Sequence, residues 1–264
     1  MGSRGDGQGA CGRVRFAGMA RETVFITGGG SGIGAGLARA FHGRGAQVII
    51  AGRDGEKLGR VVAECPGMES VVLDVTDGAA VERCAAELGA RHPGLNVVIN
   101  NAGVQDLIDF TGEPPSLRAL DREIDINLKG LIYVTAAFLP GLRRQAAARL
   151  VQVSSGLGFV PLVRAPIYSA TKAGVHGFSL ALREQLRGTT VRVIELIPPL
   201  VETELHAHQK IEGAPAGMPL ARFVEEAMRA IERGTEEAAI GLAKMLRIGA
   251  RVAPRRFLKL INRG

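Results

Sequence analysis

Short apolar, β-branched runs alternate along the chain with longer stretches in which apolar positions recur every three or four residues. The first run, "TVFIT" (23–27), meets a cluster of glycines, and a helical pattern follows from Ile33 to about Arg44. Then come "QVIIA" (47–51), a helical stretch over 54–64, "SVVLDV" (70–75), a helical stretch over 77–90 and "NVVIN" (96–100). Helical patterns near 117–128 and from Gly130 to Arg144 precede "RLVQVSS" (149–155); another over 167–187 precedes "TVRVIEL" (190–196), and one near 219–233 leads to "AAIGLA" (238–243). Runs apolar on both faces belong to a sheet covered on both sides, and helices between successive strands make that sheet parallel with right-handed crossovers. The pattern predicts an α/β protein with a doubly wound parallel sheet.

Composition leaves that reading in place. The chain has 264 residues, 46% of them hydrophobic and 22% charged, with 36 glycines spread along it rather than gathered in one tract. This is enough for one large core, so a single domain over 21–243 is expected. Residues 1–20, rich in Gly and Arg and without periodicity, read as a disordered arm, with Met19 a candidate start. The segment 212–219, "EGAPAGMP", reads as a loop, either a mobile lid or plain surface.

No run reaches the roughly 18 apolar residues of a membrane span, and the N-terminus lacks the apolar core of a signal peptide. Cys11, Cys65 and Cys84 are odd in number and have no C-x-x-C spacing, which argues against a disulfide framework or a zinc site. A cytoplasmic protein without a metal is expected. His206 and His208, two apart, read as loop residues rather than ligands.

The net charge of +7 is localised. Residues 244–264 carry Lys244, Arg247, Arg251, Arg255, Arg256, Lys259 and Arg263 with no acidic residue, so this tail alone supplies the surplus. A nucleic-acid enzyme more often spreads basic surface over the fold, so nucleic acid is the least favoured partner. Apolar residues interleaved with the cations suit either packing on the body or a partner subunit, the favoured reading, or peripheral contact with an anionic membrane. Pro254 divides the tail into two short segments.

Candidate chemistry begins at the first glycine cluster. "TGGGSGIG" (27–34) follows the first strand and opens the first helix, where Gly28, Gly32 and Gly34 permit a tight turn and close approach of a phosphate to bare backbone. In this position the motif points to a dinucleotide. The second strand ends in "AGRD". An acid there suits the ribose 2′-OH of NAD, whereas an arginine suits a 2′-phosphate, so Arg53 favours NADP(H) over NAD(H). The alternative is that Arg53 is exposed at a helix start and Asp54 merely caps that helix.

"YSATK" sets Tyr168 and Lys172 four apart, on one face of a helix. A phenol titrating at about 10 is too weak an acid and base for neutral pH, and a nearby cation is the simplest means of lowering it. At ~4 Å and an effective dielectric near 20, the lysine offers roughly 4 kcal/mol, about three pKa units, against opposing desolvation. Each residue also has a bland reading, as a strand end, an interior helix residue or a solvated face.

The ordered set "TGGGSGIG", "LDV" (73–75), "NNAG" (100–103), "DINLKG" (125–130), "VSSGLG" (153–158) and "YSATK" resembles the short-chain dehydrogenase/reductase family over about residues 22–205. "INNAGVQ", "SSGLGFVP", "REQL" and "PPLVETEL" further resemble its bacterial DltE-like branch. The resemblance implies a Rossmann fold and an oxidoreductase that moves a hydride between a nicotinamide and a carbonyl or alcohol carbon. It implies Tyr168 as general acid/base, Lys172 as the cation lowering its pKa and holding the nicotinamide ribose, Ser155 as a binder of the substrate oxygen, and Asn127 as the holder of a relay water. It also implies cofactor contacts from Gly28, Ser31, Gly32, Ile33, Gly34, Asp74, Val75, Asn101, Ala102, Gly103, Tyr168 and Lys172. Where the family commonly has Pro-Gly after the sixth strand, this chain has Pro198-Pro199, and Val201 and Thr203 are the candidates for the nicotinamide amide. "GFVPLV" (158–163) and "PPLVETEL" (198–205) suggest a substrate with a hydrophobic body. A homo-oligomer, dimer or tetramer, is expected, with the small-residue face of 169–181 suited to helix packing. Two other classes stay open. A nucleotide-sensing or scaffold protein on this fold would usually lack the tyrosine or lysine; a lyase or isomerase would show no net redox.

Overall fold

The computed structural model describes residues 22–113, 115–206 and 216–262. The candidate arm 1–20, Cys11, His208 and the first half of the loop 212–219 lie outside them.

Among the described residues, seven strands form one parallel sheet: β1 (Thr23–Thr27), β2 (Gln47–Gly52), β3 (Glu69–Val72), β4 (Val97–Asn100), β5 (Ala148–Val153), β6 (Val191–Ile197) and β7 (Glu237–Ala239). Their spatial order is β3-β2-β1-β4-β5-β6-β7. The order reverses between β1 and β4, which opens a crevice beyond their carboxyl ends where ligands of such sheets bind.

Helices α1 (Gly32–Gly43), α2 (Gly55–Glu64) and α7 (Leu220–Arg233) cover one face; α3 (Gly78–Arg91), α5 (Leu131–Leu142) and α6 (Pro166–Gln185) cover the other, with α4 (Leu117–Ile124) packed against α6. Local chemistry marks their ends. The side chains of Asp54, Asp77 and Ser116 accept from backbone N–H groups three residues on, at the starts of α2, α3 and α4. Pro166 opens α6, and Gly234 closes α7 in the left-handed region. Two apolar clusters, one per face, fill the space between helices and sheet. Cys65 and Cys84 are buried free thiols within them.

Two expected boundaries differ. Helices near 117–128 and 130–144 are one continuous run, because a π-helical turn at Asp125–Gly130 joins α4 to α5 without a break. Gly130 does not interrupt it: a Cβ there would stand 2.7 Å from Val75 Cγ2, so glycine lets the helix approach the segment after β3. The tail is also more ordered than its proline suggests. Pro254 starts a new helix, α9 (Pro254–Ile261), after α8 (Ala243–Val252). A Cβ on Gly249 would lie 2.3 Å from the Phe257 ring, which places the two helices in direct contact.

Candidate active site

The crevice is built from loops that leave β1, β4, β5 and β6. After β1 the chain turns through Gly28 and Gly32, both at positive φ (65° and 51°). A Cβ on Gly28 would meet Ala102 Cα at 2.9 Å, and one on Gly34 would stand 2.2 Å from the Gly28 carbonyl oxygen. Asn101 fixes this turn, since its amide donates to Thr27 O and Gly28 O at 3.1 Å each, while the backbone N–H groups of Asn101 and Ala102 donate to Thr27 Oγ1. Ser31 precedes α1 without a side-chain cap, so the first N–H groups of that helix receive no side-chain oxygen.

These features fit a dinucleotide. The cradle would be filled by any Cβ, an uncapped helix N-terminus faces the turn, and Arg53 stands exposed after β2 without an ion pair among the described residues. Asp54 does cap α2, its carboxylate accepting from Lys57 N at 3.0 Å, which leaves Arg53 as the cation at that position. Asp74 Oδ1 accepts from Thr76 N and Thr76 Oγ1, so one carboxylate oxygen shapes the turn after β3; Val75 is buried beside it. Ile33 packs against the core at the start of α1.

After β6 the chain folds back toward the glycine turn. A Cβ on Gly32 would lie 3.3 Å from Thr203 Cβ, so Thr203 is in contact with the cradle. Val201 is buried and forms a parallel bridge with Met218. The diproline has a structural use, because Pro198 O accepts from Gly156 N at 3.0 Å and ties the end of β6 to the turn that follows Ser155.

Ser155, Tyr168 and Lys172 are brought together. Ser155 ends the run from β5 and accepts from Leu157 N at 3.1 Å. Tyr168 and Lys172 lie on the first turns of α6, both buried, and Ser155 shares a hydrogen bond with the Tyr168 phenol. Leu107, Leu157, Leu162 and Ala165 surround Tyr168 as a small apolar cluster.

The electrostatics reverse one sequence expectation. Burial pushes the Tyr168 phenol up to about 12, against the hydrogen bond with Ser155 that draws it down, and the charge of Glu123 adds to the rise. Lys172 Nζ lies 5.6 Å from the tyrosine ring centroid and donates to Val153 O at 2.8 Å rather than to the phenol. Burial brings the lysine itself down to about 8, with the Glu195 carboxylate acting in the opposite direction. Desolvation is therefore the dominant effect on the phenol, and what opposes it is the Ser155 hydrogen bond rather than the lysine charge.

Asn127 is buried in the π-helical turn. Its Oδ1 accepts from Val104 N at 2.8 Å, and its Nδ2 donates to Val104 O at 2.8 Å and Thr171 Oγ1 at 3.2 Å. The amide is thus committed to bracing the loop after β4 against α6. Gly103 lies between them, since a Cβ there would be 3.3 Å from Asn127 Oδ1 and 3.6 Å from Lys172 Nζ.

Motif reading misses Glu123 and the trio Ser154, Glu195 and His176. Glu123 is fully buried, accepts from Asp106 N at 3.0 Å, and has its carboxyl raised by burial. A signal for Glu195 was present: "VVIN", "LVQV" and "VIEL" each place one polar residue in an otherwise apolar strand.

The tail borders this site. A Cβ on Gly156 would lie 3.0 Å from Leu246 Cδ1, so α8 rests on the turn after Ser155. Asn262 accepts from Val163 N at 2.8 Å and donates to Pro161 O at 3.0 Å, holding the 161–163 loop. A separate cavity of about 840 Å³ lies between α7, β7 and α8, on the outer side of α8 and lined by neither Ser155, Tyr168 nor Lys172. Among the described residues no cluster of potential metal ligands occurs, and no helix is long and apolar enough to cross a membrane.

A doubly wound sheet with a glycine cradle at its switch point and a Ser-Tyr-Lys group beside it defines a nucleotide-dependent oxidoreductase fold. Residues 22–212 match the family described as short chain dehydrogenase, and the chain belongs to that family. It is 36% identical over 246 residues to the uncharacterized oxidoreductase DltE of Bacillus subtilis (strain 168), covering 92% of this chain and 98% of that protein. A short chain dehydrogenase from Burkholderia cenocepacia J2315, solved in complex with NADP, is similar with a TM-score of 0.77 and 28% identity, over 90% of this chain and 95% of that chain. One from Sphingobium yanoikuyae, in complex with NADPH, has a TM-score of 0.75 and 27% identity, over 87% and 93% of the two chains.

Proposed function

We propose that the protein is an NADP(H)-dependent oxidoreductase acting on a carbonyl or alcohol with a hydrophobic body. The observation that carries this reading is the convergence of Ser155, Tyr168 and Lys172 beside the cradle formed by Gly28, Gly32 and Gly34. Bound there, a nicotinamide dinucleotide supplies the hydride. Ser31, Gly32, Ile33 and Gly34 hold its phosphates, Arg53 its 2′-phosphate, Asp74 and Val75 its adenine side, and Asn101 to Gly103, Val201 and Thr203 its nicotinamide half.

The chain's own residues handle the oxygen and the proton. Ser155 and Tyr168 share a hydrogen bond, so a substrate oxygen seated between their hydroxyls receives two donors. Tyr168, held well above neutral pH by burial, carries its proton at working pH and delivers it to the developing alkoxide at the substrate oxygen. Lys172 places a positive charge next to that phenol and orients the ribose. Asn127 braces the floor; with its amide committed to protein, the relay water we assign to this position is held by main-chain groups. Leu107, Leu157 and Leu162 around Tyr168 support an apolar substrate body.

A carbonyl library screened at 340 nm with NADPH and NADH tests the reading. Turnover of at least one apolar ketone or aldehyde, faster with NADPH, is expected; nucleotide binding with no turnover of any carbonyl, and no turnover of alcohols with NADP⁺, would favour the sensor or scaffold class. We further propose a cytoplasmic homo-oligomer, for which large exposed apolar residues on the α4 to α6 face, Leu117, Ile124, Tyr133 and Leu180, offer a contact. Light scattering at a multiple of 27.8 kDa checks it. The outward side of α8 exposes Met245, Ile248 and Val252 beside Lys244 and Arg251, which suits an anionic lipid surface, and salt-sensitive sedimentation with anionic vesicles tests that peripheral contact.

A further inference from the structure

Four adjacent strands carry a polar residue at one level of the sheet. Asn100 pairs in register with Gln152, Gln152 with Glu195, and Glu195 with Glu237. Strand neighbours in parallel register point to the same face, here the face covered by α5 and α6. Asn100 Nδ2 donates to Thr135 Oγ1 and Gln152 Oε1 at 3.0 Å each, and Gln152 Nε2 donates to Thr135 Oγ1 at 3.1 Å. Glu237 turns to Arg183 and Arg247. Glu195 is different, because it is an acid with 0% exposure on β6, a strand paired on both sides, beneath the start of α6.

Its two oxygens are each held. Ser154 Oγ donates to Oε1 at 2.5 Å, and His176 Nδ1 lies 2.8 Å from Oε2. His176 is one helical turn beyond Lys172, on the same face of α6, and is partly exposed with its ring against Phe159 at a centroid distance of 4.5 Å. Lys172 Nζ donates to Val153 O, the residue that precedes Ser154. The groups facing Glu195 are thus Ser154 from the end of β5 and Lys172 and His176 from α6. On β7 the neighbouring Glu237 is occupied by its arginines. A carboxylate is expensive to bury without donors or cations; this one is held directly by Ser154 and His176, and its charge acts on Lys172, one turn before His176 on the same face of α6.

We propose that Glu195 is a positioning residue of the oxidoreductase: a buried carboxylate, aimed by Ser154 and His176, that keeps Lys172 protonated for binding the cofactor and supporting Tyr168. Burial alone drives a lysine toward its neutral form, and Glu195 is the acid that acts against this at Lys172. His176 Nδ1–H gives the buried acid a partner that reaches solvent. The inference rests on the dehydrogenase reading of Lys172.

The test is NADPH binding followed by nucleotide fluorescence between pH 6 and 10, on the full chain, with folding checked by circular dichroism. The wild type should lose affinity as Lys172 deprotonates. Glu195→Gln, isosteric and uncharged, should move that midpoint down by at least about one pH unit, so that affinity falls roughly tenfold relative to wild type above the midpoint and is unchanged at pH 6. Ser154→Ala, which removes the donor to Oε1 and leaves the acid, should move it in the same direction by less. His176→Asn, which retains an N–H donor, should leave it near the wild-type value. If Glu195→Gln does not fold, Ser154→Ala carries the test alone. An unmoved midpoint in the folded variants, alongside a wild-type affinity that depends on pH and is lost in Lys172→Met, would overturn the role of Glu195 and leave the dehydrogenase reading intact. Lys172→Met binding NADPH as tightly as wild type at every pH would instead overturn the reading of Lys172 on which the proposal stands.

Discussion

A Cβ on Gly34 would stand 2.2 Å from the carbonyl oxygen of Gly28, so the first turn of α1 rests directly on the entrance to the glycine turn. No rotamer change relieves a clash between a Cβ and a backbone oxygen; the helix itself must move. Gly34→Ala should therefore destabilise the protein by at least about 2 kcal/mol and weaken NADPH binding with it. Gly59, exposed within α2 with nothing near its Cβ position, is the contrast: Gly59→Ala should raise stability by up to about 1 kcal/mol. Chemical denaturation of both variants checks the pair, and equal effects would contradict the packing described.

Tyr168→Phe keeps the ring in its apolar cluster and removes only the hydroxyl shared with Ser155. Turnover of any substrate found in the carbonyl screen should fall below a few per cent, with NADPH affinity nearly intact. Substantial residual turnover would show that another group carries the proton.

Arg53→Ala should weaken NADP(H) by about 1.5–3 kcal/mol, the range for hydrogen bonds to charged groups, and barely affect NAD(H). Calorimetric titration with both nucleotides reads the difference. Parallel losses would return Arg53 to the role of a surface residue at the start of α2.

Lys172 links function to stability through pH. Its folded value is lowered to about 8 from the usual 10.5. Below pH 8 both folded and unfolded chains carry the proton, and the folded state bears the full desolvation cost. Between pH 8 and 10.5 the unfolded chain binds more protons, so wild-type stability from this group rises with pH. Lys172→Met should accordingly be more stable than wild type at pH 7 by about 2 kcal/mol, the desolvation cost less the lost bond to Val153 O, with the advantage shrinking toward pH 10.5. Thermal melts across that range decide it. The wild type's reductive kcat/KM should decline as pH rises through about 8, where Lys172 loses its charge.

Much of this protein follows from its sequence alone. The alternation of doubly apolar runs with amphipathic stretches determined the order of strands and helices, because burial on both faces leaves no other period for those segments. Gly28, Gly32 and Gly34 were legible because only glycine tolerates the positive φ and the contacts of that turn, and the i, i+4 spacing of Tyr168 and Lys172 placed them on one face of α6. Tertiary structure decided what local spacing does not contain. The sign of the Tyr168 shift depends on how completely the phenol is desolvated, which the chain reveals only when Leu107, Leu157 and Leu162 close around it. The commitment of the Asn127 amide needs Val104 and Thr171 brought from other segments, and the close approach of the π-helical turn to Val75 depends on the missing Cβ of Gly130. Glu195 meets Ser154, 41 residues away, and His176, 19 away, only because parallel register aligns β5 with β6 and α6 crosses above them. Periodicity records which side of an element is buried; what lies on the other side of the interface is fixed only when the chain has folded.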